Sequence, residues 1–297
     1  MAQQNPTGSP APRPGIELLQ TRWGPMYGFA NDSGVSEALR RFGEYGANEV
    51  KLYRLLLAPG DTVIDVGCNI GVIARALASQ APHPAVVGFE PQPDCYRLAC
   101  ANTFHNNAVT VYPLAVADRD GAVLVDELDL AQAGNYGRTD IAEPRHGHRR
   151  IPAAAVRLDG FLAERAPRPR LVKIDAEGME ASILRGMTGL VHDRLVVSAE
   201  ADRRALVPDI LAALQALGCG CHVAMFRAIG PDNPRFDPES RHCRNLHIHL
   251  VGFAGPAPDW IPTVRGLWPV RSMEDFDAVV DEHFNRRWVA DGGGPVG

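Results

Sequence analysis

From Asp61 onward, short apolar runs alternate with helical stretches, and the first of these runs empties into a glycine loop. Thr62 to Asp65 reads as a buried strand, Gly67 to Gly71 as the loop, and the stretch to Ser79 as a helix. Val86 to Glu90 is a second strand, Asp94 to Asn106 a helix, and Val109 to Val116 a third strand. Leu171 to Ala176, Leu195 to Glu200, Gly220 to Phe226 and Asn245 to Phe253 continue the strands. Met179 to Gly186, Pro208 to Leu217 and Met273 to Trp288 are the helices among and after them. Strands spaced by helices at this interval build βαβ units, and hence a doubly wound, mostly parallel α/β sheet, here of seven strands.

Two segments fall outside that alternation. Residues 16–58 precede it, with strand character at Trp23 to Phe29, a helix from Ser36, and a second helix in NEVKLYRLLLA ended by Pro59-Gly60. Residues 121–158 interrupt it with two strands, AVLVDELDL and IPAAAVRL, about a polar Gly- and Arg-rich stretch read as a mobile loop. The expected organisation is a disordered tail at 1–15, an N-terminal extension at 16–58 able to act as a lid, and a main domain at 59–297 with the insertion at 121–158.

Composition narrows the class. The 297 residues carry 45% hydrophobic and 22% charged side chains, ordinary for a globular protein with a sizeable core. A net charge of −5 argues against a nucleic-acid partner. The N-terminus lacks the basic and apolar regions of a signal peptide, and no apolar run approaches the roughly 20 residues of a membrane span. Six cysteines without a CxxC pair or a disulfide-framework spacing fit reduced thiols. The expectation is a soluble, cytoplasmic protein; a homodimer is compatible with it.

The glycine loop bears on the cofactor. In VIDVGCNIG, Gly67 and Gly71 let the backbone turn and approach a ligand at the carboxyl end of a strand. A dinucleotide loop of the G-x-G-x-x-G type presents its helix N-terminus to a pyrophosphate. Here Asn69 replaces the middle glycine and Asp65 stands on the strand, which suits a cationic amino-acid moiety better than a diphosphate. Glu90, closing the second strand, can accept the two hydroxyls of an adenosine ribose; the alternative for both acids is capping of the following helices.

With these residues in view, the chain resembles the FkbM family of class I S-adenosylmethionine-dependent methyltransferases, from about Gly43 to Phe253. GEYGANEVKLYRLLLAPGDTVIDVGCNIG is similar to the entry helix and first motif, VVGFEPQPDCYRLACANTFHNN to the second, LAVADRDG to the third, and LVKIDAEGMEASILRGM to the Lys-Ile-Asp-x-Glu-Gly-x-Glu pattern. Departures occur at Cys68, at Gly46 after Tyr45, and at Ser198-Ala-Glu200-Ala, where the family often has Glu-x-His; Glu200 therefore stays open. The resemblance implies S-adenosylmethionine as cofactor, with Tyr45, Glu49, Asp65, Gly67, Asn69, Gly71, Glu90, Pro91, Ala117 and Asp175 around it. It further implies methyl transfer to a hydroxyl of a small-molecule acceptor (a polyketide, sugar or other secondary metabolite). N- or carboxyl-methylation of a peptide or lipid-linked sugar is the alternative. An NAD oxidoreductase on the same fold is a third reading, against which the missing third glycine counts.

For the chemistry, Asp175 at the end of the fourth strand, with Glu177 and Glu180 after it, offers a base, an acceptor anchor, or oxygen ligands for a divalent cation such as Mg. Carboxylates also favour a first helical turn on dipole grounds alone. Lys173 is read as the structural partner of an acid. His247 shares a strand face with His249 and becomes a base candidate with Asn245 if that strand is antiparallel. Asn135 and Tyr136, in GNYGRT, are candidate acceptor-pocket residues or a plain turn. The late cysteines and histidines, from Cys219 to His249, match no zinc spacing well. Arg145 to Arg150 is a solvated loop or a clamp for an acidic acceptor.

Overall fold

A computed structural model describes residues 15–137, 149–163, 165, 168–230, 232–233, 235, 246–261 and 266–290, the side chains of 284–290 excepted. Its backbone is an eight-stranded sheet. In chain order the strands are β3 (Thr62–Val66), β4 (Ala85–Phe89), β5 (Val109–Tyr112), β9 (Leu171–Ile174), β10 (Val196–Glu200), β11 (Gly220–Arg227), β12 (Leu246–Phe253) and β13 (Leu267–Val270). Their spatial order is β13-β11-β12-β10-β9-β3-β4-β5. The pairs from β10 through β5 are parallel, while β12 is antiparallel to both β10 and β11, and β13 to β11. The chain reverses outward at β3, so the carboxyl ends of β3, β4, β9 and β10 share one edge, where such sheets bind ligands.

The count is eight strands rather than seven because Leu267 to Val270 pairs with β11, a four-residue addition too short to show a period. The expected third strand is also two. It stops at Tyr112, and Ala115–Ala117 (β6) joins a different, three-stranded sheet with β7 (Gly121–Asp126) and β8 (Arg150–Arg157). Pro113 stands between the two strands and has no N–H to offer a ladder.

Helices cover both faces: α2 (Ala47–Leu56), α3 (Val72–Ala78) and α4 (Pro93–Thr103) among them, then α5 (Leu158–Leu162), α6 (Glu180–Arg185), α7 (Val207–Ala216) and α8 (Met273–Ala290). Every residue of β3 and β9 is buried, as strands covered on both faces must be. The α2 face of the sheet packs Val63, Leu171, Val196 and Val251 against Val50, Tyr53 and Leu56; the other face packs Ile64, Val172 and Val197 against α6 and α7. Gln92 caps α4, its side-chain oxygen accepting from the N–H groups of Asp94 (2.7 Å) and Cys95 (2.8 Å).

Before the sheet, β1 (Ile16–Thr21) and β2 (Gly24–Phe29) form a hairpin followed by α1 (Val35–Phe42). Among the described residues no helix is long and apolar enough to cross a membrane. Residues 1–14, most of the Arg145–Arg150 cluster, Asn245, His242 and Cys243 lie outside the described residues.

Candidate active site

The edge shared by β4, β3, β9 and β10 opens into a cavity of about 450 Å³. That lies within the ~300–1,000 Å³ usual for cofactor and small-molecule pockets. Of the residues expected at the site, Tyr45, Glu49, Gly67, Asn69, Glu90, Asp175, Glu177 and His247 line it; Asp65, Gly71, Pro91 and Ala117 do not.

The glycine loop explains the first group. Gly67 has φ +75°, and a Cβ there would lie 1.8 Å from the Asp175 carbonyl oxygen, so only glycine lets the ends of β3 and β9 meet. Asn69 also takes a left-handed conformation, φ +50°, which asparagine tolerates better than most residues. This is why it can occupy the middle-glycine position. Its N–H donates to Glu90 Oε2 (2.8 Å), while Glu90 Oε1 accepts from the Gln92 N–H (2.8 Å). Each carboxylate oxygen keeps a lone pair for a further donor. Burial pushes Glu90 up to about 7, against the pull of those two N–H groups.

The residues that miss the cavity have packing reasons. Asp65 is fully buried on β3, and its Oδ1 lies 3.1 Å from Lys173 Nζ, which also reaches Asp175 Oδ2 at 3.4 Å. Lys173 does line the cavity. Against burial, which would strip its proton, Asp65 and Asp175 hold Lys173 charged, well above its ordinary value. Asp65 therefore reaches the cavity only through Lys173. Gly71 packs against Ala99 of α4, Pro91 sits in the turn before the α4 cap, and Ala117 is buried beneath Gly186, whose Cβ would meet its carbonyl at 2.3 Å.

Past Asp175 the cavity is acidic. Carboxylate oxygens of Asp175, Glu177 and Glu200 lie within 4.8 Å of one another. Glu177 has φ +50°, an uncommon conformation for a non-glycine residue, and its carboxylate pairs closely with the Arg203 guanidinium. Burial and the neighbouring Asp175 carboxylate push Glu200 well above the usual carboxylate range. Against the upward push of burial, the Lys173 ammonium holds Asp175 below its ordinary value. Glu180 instead accepts from the N–H groups of Ala176 and Gly178, both at 3.1 Å, and so stiffens the turn.

The N-terminal extension closes the other side. Tyr45 and Glu49 face the cavity from the start of α2, and Tyr45 stacks edge-on against His247, ring centres 5.6 Å apart. Glu49 Oε1 accepts from the Tyr53 hydroxyl at 2.7 Å. Asp32, buried before α1, accepts from the N–H groups of Gly34 (2.9 Å), Ser36 (2.7 Å) and Tyr136 (3.1 Å). That clasp brings Gly34, Val35, Asn135 and Gly137 to the rim, while Tyr136 itself turns away to pack edge-on against Phe29. Because β12 is antiparallel it starts at the cavity, where Leu246 and His247 contribute, and His249 is buried.

Glu200, left open by the sequence, is a cavity residue, and the strand-end rule that selected Asp175 selects it too. Asp202, Arg203, Gly34 and Val35 also line the cavity, and nothing in their sequence context marks them. Of the late cysteines, Cys219 and Cys221 are buried and free, and His222 packs against Phe253. Among the described residues the one group able to hold a metal is the acidic set at Asp175, Glu177 and Glu200.

Residues 65–219 match the model of the Methyltransferase FkbM domain, a span from the β3 acid to the end of α7 that includes the glycine loop, Glu90, Asp175 and Glu200. The chain belongs to the FkbM methyltransferase family. It is thus a methyltransferase dependent on S-adenosylmethionine, and the NAD reading falls. This FkbM-family chain is similar to the 31-O-demethyl-FK506 methyltransferase FkbM of Streptomyces tacrolimicus, 28% identical over 209 residues covering 61% of this chain and 78% of that one. It is similar also to the hexuronic acid methyltransferase AglP of Haloferax volcanii, 29% identical over 149 residues covering 48% of this chain and 58% of that one. A solved S-adenosylmethionine-dependent O-methyltransferase from Thermotoga maritima aligns over 83% of this chain and 80% of its own, at 15% identity and TM-score 0.45.

Proposed function

We propose that this FkbM-family enzyme methylates a hydroxyl oxygen on a polyhydroxylated small molecule, of the polyketide, sugar or secondary-metabolite kind. The observation that carries the reading is that one cavity joins Glu90 and the Asn69 loop to the acids at Asp175, Glu177 and Glu200. The two relatives are named for 31-O-demethyl-FK506 and for hexuronic acid.

The residues fit the cofactor. Glu90 has acceptor capacity left for ribose hydroxyls, and its two N–H partners fix its oxygens toward the cavity. Across the end of β3 from Glu90, Lys173 of β9 and Glu49 of α2 offer opposite charges to the carboxylate and ammonium of a methionine moiety, with Tyr45 lining the same cavity. Bound S-adenosylmethionine supplies a methyl group on a sulfonium that leaves readily. With the cofactor bound, Asp175 would serve as the base that takes the proton released by the acceptor hydroxyl. Glu177 and His247 hold the acceptor in line, which is the larger part of the rate advantage for such a displacement.

A divalent cation such as magnesium would use Asp175, Glu177 and Glu200 as oxygen ligands. Lys173 and Arg203 already pair with two of the three, so the set fits a cation-free site better. Free cysteines at Cys68, Cys95, Cys100, Cys219 and Cys221 favour a reducing, cytoplasmic setting.

The test is transfer from S-adenosylmethionine carrying a deuterated methyl to panels of alcohols, amines and carboxylates, read by mass spectrometry with and without chelator. A base-stable deuterated methyl ether is expected, formed equally in chelator. A base-labile ester or an N-methyl product would contradict the hydroxyl assignment, and loss in chelator would contradict the cation-free site.

A further inference from the structure

Under the cavity floor runs a chain of polar side chains that the methyl-transfer chemistry does not use. Glu49 Oε1 lies 2.7 Å from the Tyr53 hydroxyl, that hydroxyl 2.9 Å from Ser198 Oγ, and Ser198 Oγ 3.0 Å from His249 Nδ1. All four residues are buried, in a layer otherwise filled by Val50, Leu171, Val196 and Val251. Buried polar groups left without a hydrogen-bond partner are costly, and here each of the four finds one within the chain.

Counting protons gives the chain a direction. Tyr53 has one hydroxyl proton, and an ionised Glu49 is the stronger of its two acceptors. Tyr53 Oη must then accept from Ser198, which uses the serine's single proton. Ser198 Oγ must in turn accept from His249, so His249 carries its proton on Nδ1. The opposite polarity requires a proton on Glu49 and places the histidine proton on Nε2. Burial pushes His249 down to about 3, so it stays neutral and can hold either tautomer. Burial pushes Glu49 up from its ordinary value; against it, the Lys173 ammonium and the Tyr53 hydroxyl bond favour the ionised form, as does His247, while the Asp175 carboxylate opposes it.

We propose that Tyr53, Ser198 and His249 are positioning residues for the cofactor, a hydrogen-bond chain polarised toward Glu49 that keeps its carboxylate ionised and aimed at the ammonium group of S-adenosylmethionine. The proposal rests on the cofactor placement given above. It adds that the cofactor's amino-acid end is held from beneath the sheet by residues that never touch it.

The experiment compares two ligands by calorimetry: S-adenosylhomocysteine, which has the amino-acid moiety, and 5′-methylthioadenosine, which lacks it. In Tyr53→Phe and Ser198→Ala, S-adenosylhomocysteine affinity should fall about tenfold or more, with 5′-methylthioadenosine changed less than twofold. Equal losses for both ligands, or no loss for either, would overturn the proposal, the first because it marks a general packing role. Nitrogen-15 NMR of histidine-labelled protein supplies a readout that packing would not move. His249 should show a protonated Nδ1 and a bare Nε2 in the wild type, and an Nε2–H tautomer there would overturn the polarity. Glu49→Gln separates the two levels: if it binds S-adenosylhomocysteine as the wild type does, the placement of the ammonium on Glu49 has failed, whatever the state of the chain.

Discussion

Lys173 and Asp65 form an ion pair inside the sheet, Nζ to Oδ1 3.1 Å, with the lysine side chain 4% exposed and the aspartate fully buried. The same ammonium reaches Asp175 at the cavity, so a pair on adjacent strands sets the charge at the cavity wall. Removing one partner of a buried pair leaves an uncompensated charge, which costs about 3–5 kcal/mol. Lys173→Met should therefore lower stability by that order in urea denaturation. The double variant Lys173→Met/Asp65→Asn should recover most of the loss in stability without recovering methyl transfer. Full recovery of both would show that Lys173 acts through the fold alone.

Through Glu90, cofactor affinity is expected to depend on pH. Burial raises its folded value to about 7, above the 4.5 of an exposed glutamate. The folded protein therefore binds more protons than the unfolded one between those values, and stability from this group falls as pH rises through that window, by about 3 kcal/mol in all. In the cofactor placement proposed above, the ionised form is the one that would accept both ribose hydroxyls. Affinity for S-adenosylmethionine should weaken as pH falls below about 7 and level off above it. Glu90→Gln, measured by the same titration, should bind more weakly and lose this dependence.

Gly67 and Gly60 separate two costs of a side chain at positive φ. Gly60, φ +84°, has nothing within 4 Å of a Cβ, whereas at Gly67 the Cβ would collide with the Asp175 carbonyl. Gly60→Ala should cost only the backbone term, ~1–2 kcal/mol. Gly67→Ala should cost clearly more and abolish cofactor binding, as thermal melts and calorimetry would show. Equal costs would mean that the loop moves aside without consequence.

How far the sequence could be read follows from how local each cause is. The β3–glycine loop–α3–β4 unit and Glu90 were legible because alternating apolar periods and a loop of fixed spacing are local features, and Asp175 because it closes a strand. The break at Pro113 sends Ala117 to another sheet, and it was missed because an apolar run continues on both sides of the proline. Asp65 was expected at the cofactor; its burial follows from strand neighbours more than 100 residues away, where Lys173 stands beside it. Tyr53 reads simply as an apolar position of a helix. Its partner Ser198 is 145 residues away, and only the packing of α2 on β10 brings them together.

Asp32 is a second feature made by tertiary packing. Its carboxylate accepts from three N–H groups, including that of Tyr136 across 104 residues. Hydrogen bonds to a charged group are worth about 1.5–3 kcal/mol each, though they are not additive. Asp32→Ala should lower stability by at least about 2 kcal/mol and raise the KM for the acceptor more than it lowers kcat, because the 134–137 segment is no longer held at the rim. An unchanged KM would remove that segment from the acceptor site.

The most direct test of the central claim, that Glu90 and Asp175 share one S-adenosylmethionine site, is calorimetric titration of the purified protein with S-adenosylmethionine and with NAD, repeated on Glu90→Ala and Asp175→Ala. S-adenosylmethionine should bind at one site and NAD should not. Glu90→Ala should lose at least tenfold in affinity, while Asp175→Ala should keep measurable binding and lose methyl transfer. Wild-type affinity in Glu90→Ala, or full turnover in Asp175→Ala, would contradict the account.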